Sequence, residues 1–535
     1  MEENHAIIWM RHGLRLHDNR PFISAISHNY KIAFLYVFDK TFKSPIISYH
    51  QAGFLLESLE DLDKQLNAHG SRLYVAEGCP LELLKFLKKD SGLKHLFFEQ
   101  DCEPIWWKRD GLVKNLCCDL NIPWSEDVGH TLWDPDQIIE AMGGSPPLTY
   151  NMLLQTIECM GEPPKPAPNP DWSNVKFWHI PSPIGTSSFR IFENVPSCSD
   201  LQLPYDQCFL PTRRIIGGEK RALRLLKTRI KHEMDAFSSG YFQPNQSRPN
   251  LLGPAMSLSA ALALGVISVR KFYWSLREAF EKVYKGNLPF WHHVTGQLLW
   301  REYFYVMSRR NPEFDKIDTN PICLKIKWYN NEEWFQKWKD GMTGYPFIDA
   351  AMRQLNQEGW MHHSARNAAA LFFSRGDLWL NWMEGARYFA EKLIDSDWSV
   401  NVGNWLWVSS SAFERVLNCS SCISPVTFGR RLEPSGDYIR RYVPELLNFS
   451  FEYIHEPWKA PLEIQEKARC IVGKDYPERM VIHEEVARDN QQLMLDFRRQ
   501  TLVKLKRAPP HCHPSDEKEI YHFFWMPEEC YHTHA

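Results

Sequence analysis

Short apolar runs alternate with longer amphipathic segments in the first quarter of the chain. Runs rich in β-branched and aromatic residues, each ending at a polar residue, occupy residues 6–10, 31–38, 72–76 and 94–98. Between them, leucines recur at helical spacing over 55–66 and 81–87. Strands that alternate with helices form a parallel sheet covered by helices. The pattern predicts a Rossmann-like α/β domain over residues 1–135.

The strand pattern disappears in the second half of the chain. Helical periodicity dominates from about residue 212, as in the apolar positions of 222–230 and 347–355. We therefore predict an all-α domain over residues 212–500. Residues 136–211 are rich in proline and glycine and then lose any clear period, which predicts an interdomain linker.

The last segment, residues 501–535, is predicted to be a tail, because Pro509 and Pro510 interrupt the preceding helix. It carries the aromatic residues Phe523, Phe524 and Trp525. Three exposed aromatic side chains are unfavourable in water, so we expect them to dock in a groove of this chain or of a partner.

Composition narrows the class of protein. The chain has 535 residues, 44% of them hydrophobic and 24% charged, which indicates a soluble protein of two or more domains. No apolar run reaches the ~20 residues of a membrane span, and the acidic N-terminus argues against a signal peptide. The 13 scattered cysteines fit a reducing compartment, the cytoplasm or nucleus. Cys419-x-x-Cys422 lacks a second pair, so ordinary thiols are favoured over a metal site.

Charge argues against tight nucleic-acid binding. The net charge is −3, whereas proteins that hold phosphate backbones are usually basic. Basic residues cluster between Arg213 and Lys231. A solvated helix face is the favoured interpretation, and a rim that contacts phosphates is the alternative. We expect weak or no DNA binding.

The most informative stretch is Asp395 to Trp407. It holds two carboxylates, two amides and three tryptophans in 13 residues. Charged residues are seldom buried unless they are paired, whereas tryptophan is mostly buried. Apolar residues precede the stretch and Ala412-Phe413 follows it, so simple exposure is disfavoured. We predict the wall of a pocket for a planar, polar ligand.

Other stretches of the helical half add polar side chains at helical spacing. Ser257-Leu258-Ser259 precedes an apolar helix, and hydroxyl and N–H groups at a helix start suit a phosphate. Further pairs or triplets are predicted to share a helix face: Gln297 with Arg301; His363 with Arg366 and Asn367; and Trp379 with Trp382.

Together, and in this order, these stretches resemble the photolyase–cryptochrome flavoproteins. Similar landmarks occur at residues 11–19, 130–135, 344–355 and 442–446. Within the family, the chain is most similar to the light-sensing insect, Drosophila-like type. That likeness rests on residues 99–106, 130–133 and 408–415 and on the short tail with Phe-Phe-Trp.

The resemblance implies FAD, bound in a U-shape by the helical domain, and a role for each matching residue. Leu258 and Ser259 are expected at the phosphates, with Gln297 and Arg301 on the same side. His363 and Arg366 are expected to flank the isoalloxazine ring. Asp395 and Asp397 are expected to contact adenine, ribose or ring edges, while Asn401 faces flavin N5. An Arg366–Asp395 pair is expected, either static or responsive to flavin charge.

The resemblance also implies an electron relay through Trp405, Trp382 and Trp328, with Trp379 as a fourth, outermost donor. Core packing is the alternative for each indole. The implied function is blue-light reception in circadian clock entrainment. In that scheme, flavin photoreduction releases the tail and His363 reports the flavin charge by gaining a proton. The implied partners are Timeless-type and other clock proteins and the ubiquitin-ligase machinery, in cytoplasm and nucleus.

Repair of DNA is the competing function, by a photolyase acting on (6-4) or cyclobutane pyrimidine lesions. Relatives that repair the (6-4) lesion use two histidines at i, i+4, whereas this chain has His363 and Asn367. An amide cannot replace imidazole in proton transfer. Asn401 is photolyase-like, because insect-type relatives usually carry cysteine there. A dark flavin oxidoreductase lacks a visible nicotinamide motif. An antenna chromophore of the folate or deazaflavin type stays an open possibility.

Overall fold

The computed structural model describes residues 4–41, 48–101, 103–181, 188–203, 215–240, 250–252, 256–286, 288–289, 293–413 and 423–505. It confirms an N-terminal α/β domain and a helical C-terminal domain. Three groups of predictions lie outside the described residues: the tail aromatics Phe523 to Trp525, the pair Cys419 and Cys422, and the basic pair Arg213 and Arg214.

The α/β domain is built on one seven-stranded sheet. Its strands are β1 (His5–Met10), β2 (Lys31–Asp39), β3 (Leu73–Gly78), β4 (Leu93–Glu99), β5 (Trp124–Asp127), β6 (Lys176–Phe177) and β7 (Phe189–Phe192). The order is β5-β4-β1-β2-β3-β7, and β6 pairs with the start of β2. All pairings are parallel except β3 with β7. The order of β1 to β5 is that of a doubly wound fold, whose ligands bind at the carboxyl ends of the strands.

The four predicted strands are confirmed to within two residues at each end. They were recognisable because helices cover both faces of the sheet, so each strand is apolar on both sides. Ile8 and Met10 of β1 point into the core shared with the helical domain. Ile7 and Trp9 alternate with them and face a second core on the other side.

Six helices accompany the sheet: α1 (Arg20–Ser27), α2 (Tyr49–Asn67), α3 (Pro80–Ser91), α4 (Pro104–Asp119), α5 (Pro135–Ala141) and α6 (Tyr150–Met160). The predicted leucine-rich segments are α2 and α3. Ser48 and Gln51 form a capping box at the start of α2, which satisfies two backbone N–H groups there. Proline in the first turn begins α3 and α4.

The segment predicted to be an interdomain linker, residues 136–211, contains helices and strands of its own. Most of α5 and all of α6 lie in it, and its strands β6 and β7 join the sheet. Strand β7 covers the edge of β3 through pairs from Val75↔Phe192 to Gly78↔Phe189. An uncovered edge would expose unpaired backbone groups. This segment therefore completes the α/β domain.

The helical domain contains α7 (Glu219–Ser238), α8 (Ser259–Ala263), α9 (Val269–Tyr284), α10 (His293–Ser308), α11 (Glu332–Asp340), α12 (Pro346–Glu358), α13 (His363–Leu371), α14 (Trp382–Lys392), α15 (Trp398–Val408), α16 (Pro425–Leu432), α17 (Asp437–Tyr442), α18 (Leu462–Ala468) and α19 (His483–Leu505). A π-helical turn, Phe372–Gly376, follows α13. No helix within the described ranges is long and apolar enough to cross a membrane.

The loop after β1 joins the two domains through buried hydrogen bonds and an ion pair. Buried Arg15 donates to Glu99 in its own domain and to the Gly265 carbonyl of the helical domain, both at 2.8 Å. Asp18 pairs with Arg270 at 3.0 Å, and burial leaves both side chains about 1% exposed. Charged groups this deeply buried are stable only when paired. The interface therefore fixes the cleft in which the candidate site lies.

Candidate flavin site

Asp395 is the centre of one polar cluster. Its Oδ2 accepts from Arg366 Nη2 at 2.8 Å and from the Ser259 hydroxyl at 2.5 Å. The Asp395 side chain is 2% exposed. Arg366 also donates from Nε to the Met361 carbonyl at 3.0 Å, which orients the guanidinium. The predicted Arg366–Asp395 pair is thus present, and Ser259, predicted at the phosphates, contacts the same carboxylate.

Asp397 is the centre of a second cluster. It caps α15, because its Oδ1 accepts from Val400 N at 3.0 Å. Its Oδ2 accepts from the Tyr305 hydroxyl and lies 3.8 Å from His130 Nε2. Burial by itself raises the pKa of Asp397, but the neighbouring His130 and the Arg301 charge outweigh it and lower the pKa. Asp397 is therefore a stable anion.

Arg301 belongs to this second cluster. It donates to the His130 carbonyl at 2.8 Å and lies over the Tyr305 ring, 4.5 Å from the centroid. Gln297 is on α10 one turn earlier, as predicted, and is exposed. Leu258 is buried at the start of the short α8. Tyr305 was missed by sequence reasoning, although it continues the Gln297–Arg301 face at i+4.

Asn401 has a defined orientation on α15. Its Nδ2 donates to the Ala386 carbonyl at 2.9 Å. A carbonyl only accepts, so the nitrogen must point towards Ala386 and Oδ1 is left as an acceptor. Asn401 and Asp397 both line a cavity of about 540 Å³. An acceptor suits a ligand N–H group.

His363 and Asn367 share a face of α13, as predicted. The Asn367 amide lies 3.1 Å from His363 Nε2. Burial, with the nearby His362 and Arg366, lowers the pKa of His363 to about 3. The imidazole is therefore neutral at neutral pH.

Two of the predicted relay tryptophans lie beside the cavity or behind it. Trp382 is fully buried and lines the cavity with Asn401. Trp405 lies one turn after Asn401 on α15 and is 2% exposed. The direct ring contacts of Trp405 are with Phe373, Phe389 and Trp338, at 5.8, 5.1 and 6.4 Å, rather than with Trp382.

The other two predicted relay tryptophans form a direct pair. The rings of Trp328 and Trp379 are 5.1 Å apart. Trp379 is 3% exposed and packs against Ile326 and Met494, so helix α19 covers it. Its predicted helical pairing with Trp382 is wrong, because Trp379 precedes α14 in a turn with φ +52°. A β-like bridge between Tyr329 and Leu380 instead brings Trp379 to Trp328.

The cavity extends from the helical domain to the sheet. Its far wall consists of His12, Glu103 and Arg109, near the carboxyl ends of β1 and β4. A volume of about 540 Å³ lies within the range of ligand pockets, about 300–1,000 Å³. The Asp397 cluster, through His130, Tyr305 and Asp397, and the strand ends thus line one space. Asp395, Arg366 and Ser259 lie outside its lining.

The polar groups of this site fit FAD. Asp395 Oδ1 is buried and has no hydrogen-bond partner among the described residues. A buried carboxylate oxygen needs a donor. FAD offers N–H and O–H donors on its flavin ring, ribityl chain and adenine. Asp395, Arg366, Asp397, Arg301, Ser259 and Asn401 are therefore the residues that would hold it.

Comparisons with known proteins agree with this site. A family model for DNA photolyase matches residues 6–171, and one for the FAD binding domain of DNA photolyase matches residues 294–496. Cryptochrome-1 of Aedes aegypti is 45% identical over 98% of each chain. Cryptochrome-1 of Drosophila melanogaster is 43% identical over 97% of this chain and 98% of its own.

A solved structure shares the architecture. The crystal structure of a bacterial class III photolyase from Agrobacterium tumefaciens matches with a TM-score of 0.77 and 25% identity, over 93% of this chain and 98% of that one. The chain therefore belongs to the photolyase–cryptochrome family of FAD-binding proteins. The Aedes aegypti and Drosophila melanogaster relatives are both cryptochromes.

Proposed function

We propose that the chain is a blue-light photoreceptor that acts in circadian clock entrainment. Near full-length similarity to insect cryptochromes supports the class. The observation that carries the choice of reception over (6-4) repair is the pairing of His363 with Asn367 at 3.1 Å. The second position holds an amide, which cannot act as an acid or base at neutral pH.

Bound FAD supplies blue-light absorption and accepts one electron. The proposed donors are Trp405, Trp382, Trp328 and Trp379. Trp405, Trp382 and Trp379 are buried and Trp328 is half-buried, so water has little access to the migrating positive charge. Arg366 would stabilise negative charge on a flavin held beside the Arg366–Asp395 pair, and a low local dielectric would strengthen its effect. Since Arg366 already pairs with Asp395, that charge weakens the existing ion pair.

His363 is the proposed sensor of that charge. Its neutral ring has a pKa of about 3 because it is buried beside His362 and Arg366. New negative charge nearby raises the pKa of an imidazole. Protonated His363 would donate at both ring nitrogens, which changes the surface against which Phe523 to Trp525 are proposed to dock. Release of the tail is the proposed signal.

A Timeless-type clock protein is the proposed reader of the released tail, and the ubiquitin-ligase machinery is the proposed route to light-triggered turnover. Both steps place the protein in cytoplasm and nucleus. The resemblance stated above supports these partners, and the net charge of −3 fits weak or no DNA binding.

Photolyase activity is the second candidate, and Asn401 favours it. Its Nδ2 donates to the Ala386 carbonyl, so Oδ1 is left as the acceptor of a side chain that lines the cavity. An acceptor facing N5 favours the ring form that carries a proton there, whereas a cysteine is a weaker acceptor. This feature alone does not restore the missing second histidine.

One experiment separates the two functions. The purified FAD-loaded protein is illuminated with blue light, first with (6-4) and cyclobutane lesions and then with chymotrypsin. We expect no lesion turnover and faster cleavage of the tail in light than in darkness. Turnover of either lesion supports the photolyase, and identical tail cleavage in light and darkness rejects tail release. The Asn367→His variant serves as a comparison in the lesion assay.

A further inference from the structure

Helix α7 carries a line of cations on one exposed face, which we name the basic stripe: Lys220, Arg224, Lys227 and Lys231. Their spacing of i, i+4, i+7 and i+11 places them along about 16 Å of one face. Within the described ranges, none of the four is in an ion pair. A line of unpaired like charges repels itself, so an anionic occupant would stabilise it.

The acids near α7 compensate only the ends of the basic stripe. Glu219 is buried and accepts from the backbone of Leu16 and His17, and Glu233 accepts from Arg229 at 2.7 Å. Asp61 of α2 accepts from the Lys220 backbone N–H at 3.1 Å. Asp235 is exposed one turn beyond Lys231. Arg224 and Lys227, in the middle, therefore carry the uncompensated charge.

Helix α7 comes close to His362, at the start of α13, through Arg229. Arg229, between Lys227 and Lys231 in sequence, is half-buried and close enough to His362 to act on it. Burial, Arg366 and then Arg229 lower the pKa of His362 to about 4. His362 caps α13 and directly precedes His363. Helix α7 therefore passes near the histidine pair at which the tail aromatics are proposed to dock.

The tail has the complementary charge. Residues 508–535 contain one lysine and five acids, namely Asp516, Glu517, Glu519, Glu528 and Glu529. The acids lie on both sides of Phe523 to Trp525. Glu519 precedes Phe523 by four residues, which span about 14 Å at most, and Asp516 by seven, which span about 25 Å. Aromatic residues anchored near His363 therefore hold these acids within reach of α7.

We propose that the basic stripe of α7 is a docking surface for the acidic segment of this chain's own tail. The inference rests on the proposed docking of Phe523 to Trp525 and adds ion pairs between the acids of the tail and the basic stripe. We call these ion pairs the latch. The latch acts in darkness and does not itself depend on light. Its pairs are exposed and therefore weaken with salt, so ionic strength sets how firmly the tail is held.

Charge reversal in full-length, FAD-loaded protein tests the latch. One variant carries Arg224→Glu and Lys227→Glu, a second carries Glu517→Lys and Glu519→Lys, and a third carries all four. The readout is the rate at which chymotrypsin cuts after Phe523, Phe524 and Trp525 in darkness. None of these substitutions creates or removes a chymotrypsin site. The charge-matched control, Lys89→Glu with Lys108→Glu, alters exposed cations of α3 and α4.

We expect each double variant to be cut about fivefold faster than wild type at low salt, and the fourfold variant to return to within about twofold of wild type. The control should match wild type. Raising NaCl to 0.5 M should accelerate cleavage of wild type and leave the double variants unchanged. Equal cleavage of wild type and both double variants, or no recovery in the fourfold variant, overturns the latch.

A synthetic peptide of residues 506–535 is the undocked reference. Wild type cut as fast as this peptide means that the tail is not docked, which rejects both tail docking and the latch. Wild type that is protected but insensitive to the charge reversals rejects the latch alone. Thermal unfolding of each variant verifies that the fold is retained.

Discussion

Asp395 shows how one buried carboxylate organises its surroundings. It receives a guanidinium and a hydroxyl on Oδ2, and its other oxygen stays without a partner among the described residues. We expect Arg366→Met to lower the free energy of unfolding by about 3 kcal/mol, because it leaves a buried charge without its counter-ion. Urea unfolding in darkness measures this.

The matched variant is Asp395→Asn, alone and combined with Arg366→Met. Removing both charges leaves no unpaired ion, so the double variant should be more stable than Arg366→Met alone. A double variant that is as unstable as the sum of the single variants would show that the two residues do not act as a pair.

Gly385 is the second informative residue. A Cβ at this position would lie 2.3 Å from Cη2 of Trp405. Gly385→Ala should therefore displace the indole and cost about 1–3 kcal/mol through overpacking, as measured by urea unfolding and by the rate of flavin photoreduction. Gly111→Ala in α4 is the control, since no atom lies within 4 Å of its Cβ. There we expect no loss, because alanine favours helix more than glycine does.

Individual residues of the site were predictable only where a motif contained them. Asp395, Arg366, Asn401 and His363 stood in motifs of several matching positions. In the sequence, Tyr305 looks like any other aromatic residue of a helical segment. Only its contact with Asp397 identifies it as part of the site. Gly385 carries no side chain, and the space that it leaves for the Trp405 ring is evident only once α14 is packed on α15.

At the scale of elements, α19 covers the turn that carries Trp379. Asn490 donates to the carbonyls of Gly376 and Asp377 at 3.0 and 3.2 Å. Asn490→Ala should leave both carbonyls unsatisfied and cost about 1–3 kcal/mol of local stability. Hydrogen exchange of residues 483–500 should then accelerate. Gln492→Ala, an exposed neighbour on the same helix, should leave the exchange unchanged.

The elements were predictable where burial repeats with a regular period. The strands β1 to β4 and helices α2 and α3 follow such patterns. Strands β6 and β7 have two and four residues, which is too short for alternation to be seen. The turn before α14 was mispredicted for a different reason, since Trp379 adopts φ +52°, a conformation that residue spacing does not encode.

The ion pair between His12 and Asp101 affects the stability of the whole molecule, and we expect that stability to fall in alkaline solution. His12 Nε2 lies 2.7 Å from Asp101 Oδ2. Burial alone lowers the pKa of His12, but the charge and hydrogen bond of Asp101, aided by Glu103, raise it to about 9 against the effect of Arg11. The ion pair therefore gives its full stabilisation of the folded state below pH 6.5, the ordinary pKa of histidine. This stabilisation is lost as the pH rises through 9.

Unfolding of wild type and His12→Gln by urea between pH 7 and 9.5 tests this. Wild type should lose about 1–3 kcal/mol across the range, and the variant should lose little. Glu103, whose pKa burial and Asp101 raise to about 7, titrates at the start of this range, so the slopes are compared above pH 8. His28→Gln, on the exposed end of α1, should retain the wild-type slope. An unchanged slope in His12→Gln would contradict the assignment.

The fastening of the two domains by Arg15 and Asp18 limits how such a protein can signal. A guanidinium that bonds to both halves, with its partner charges buried, leaves no hinge about which they could swing. The described parts of the two domains should then move as one rigid body. The radius of gyration should be equal in darkness and light once residues 506–535 are removed, which would mean that light changes the surface of the protein rather than its shape.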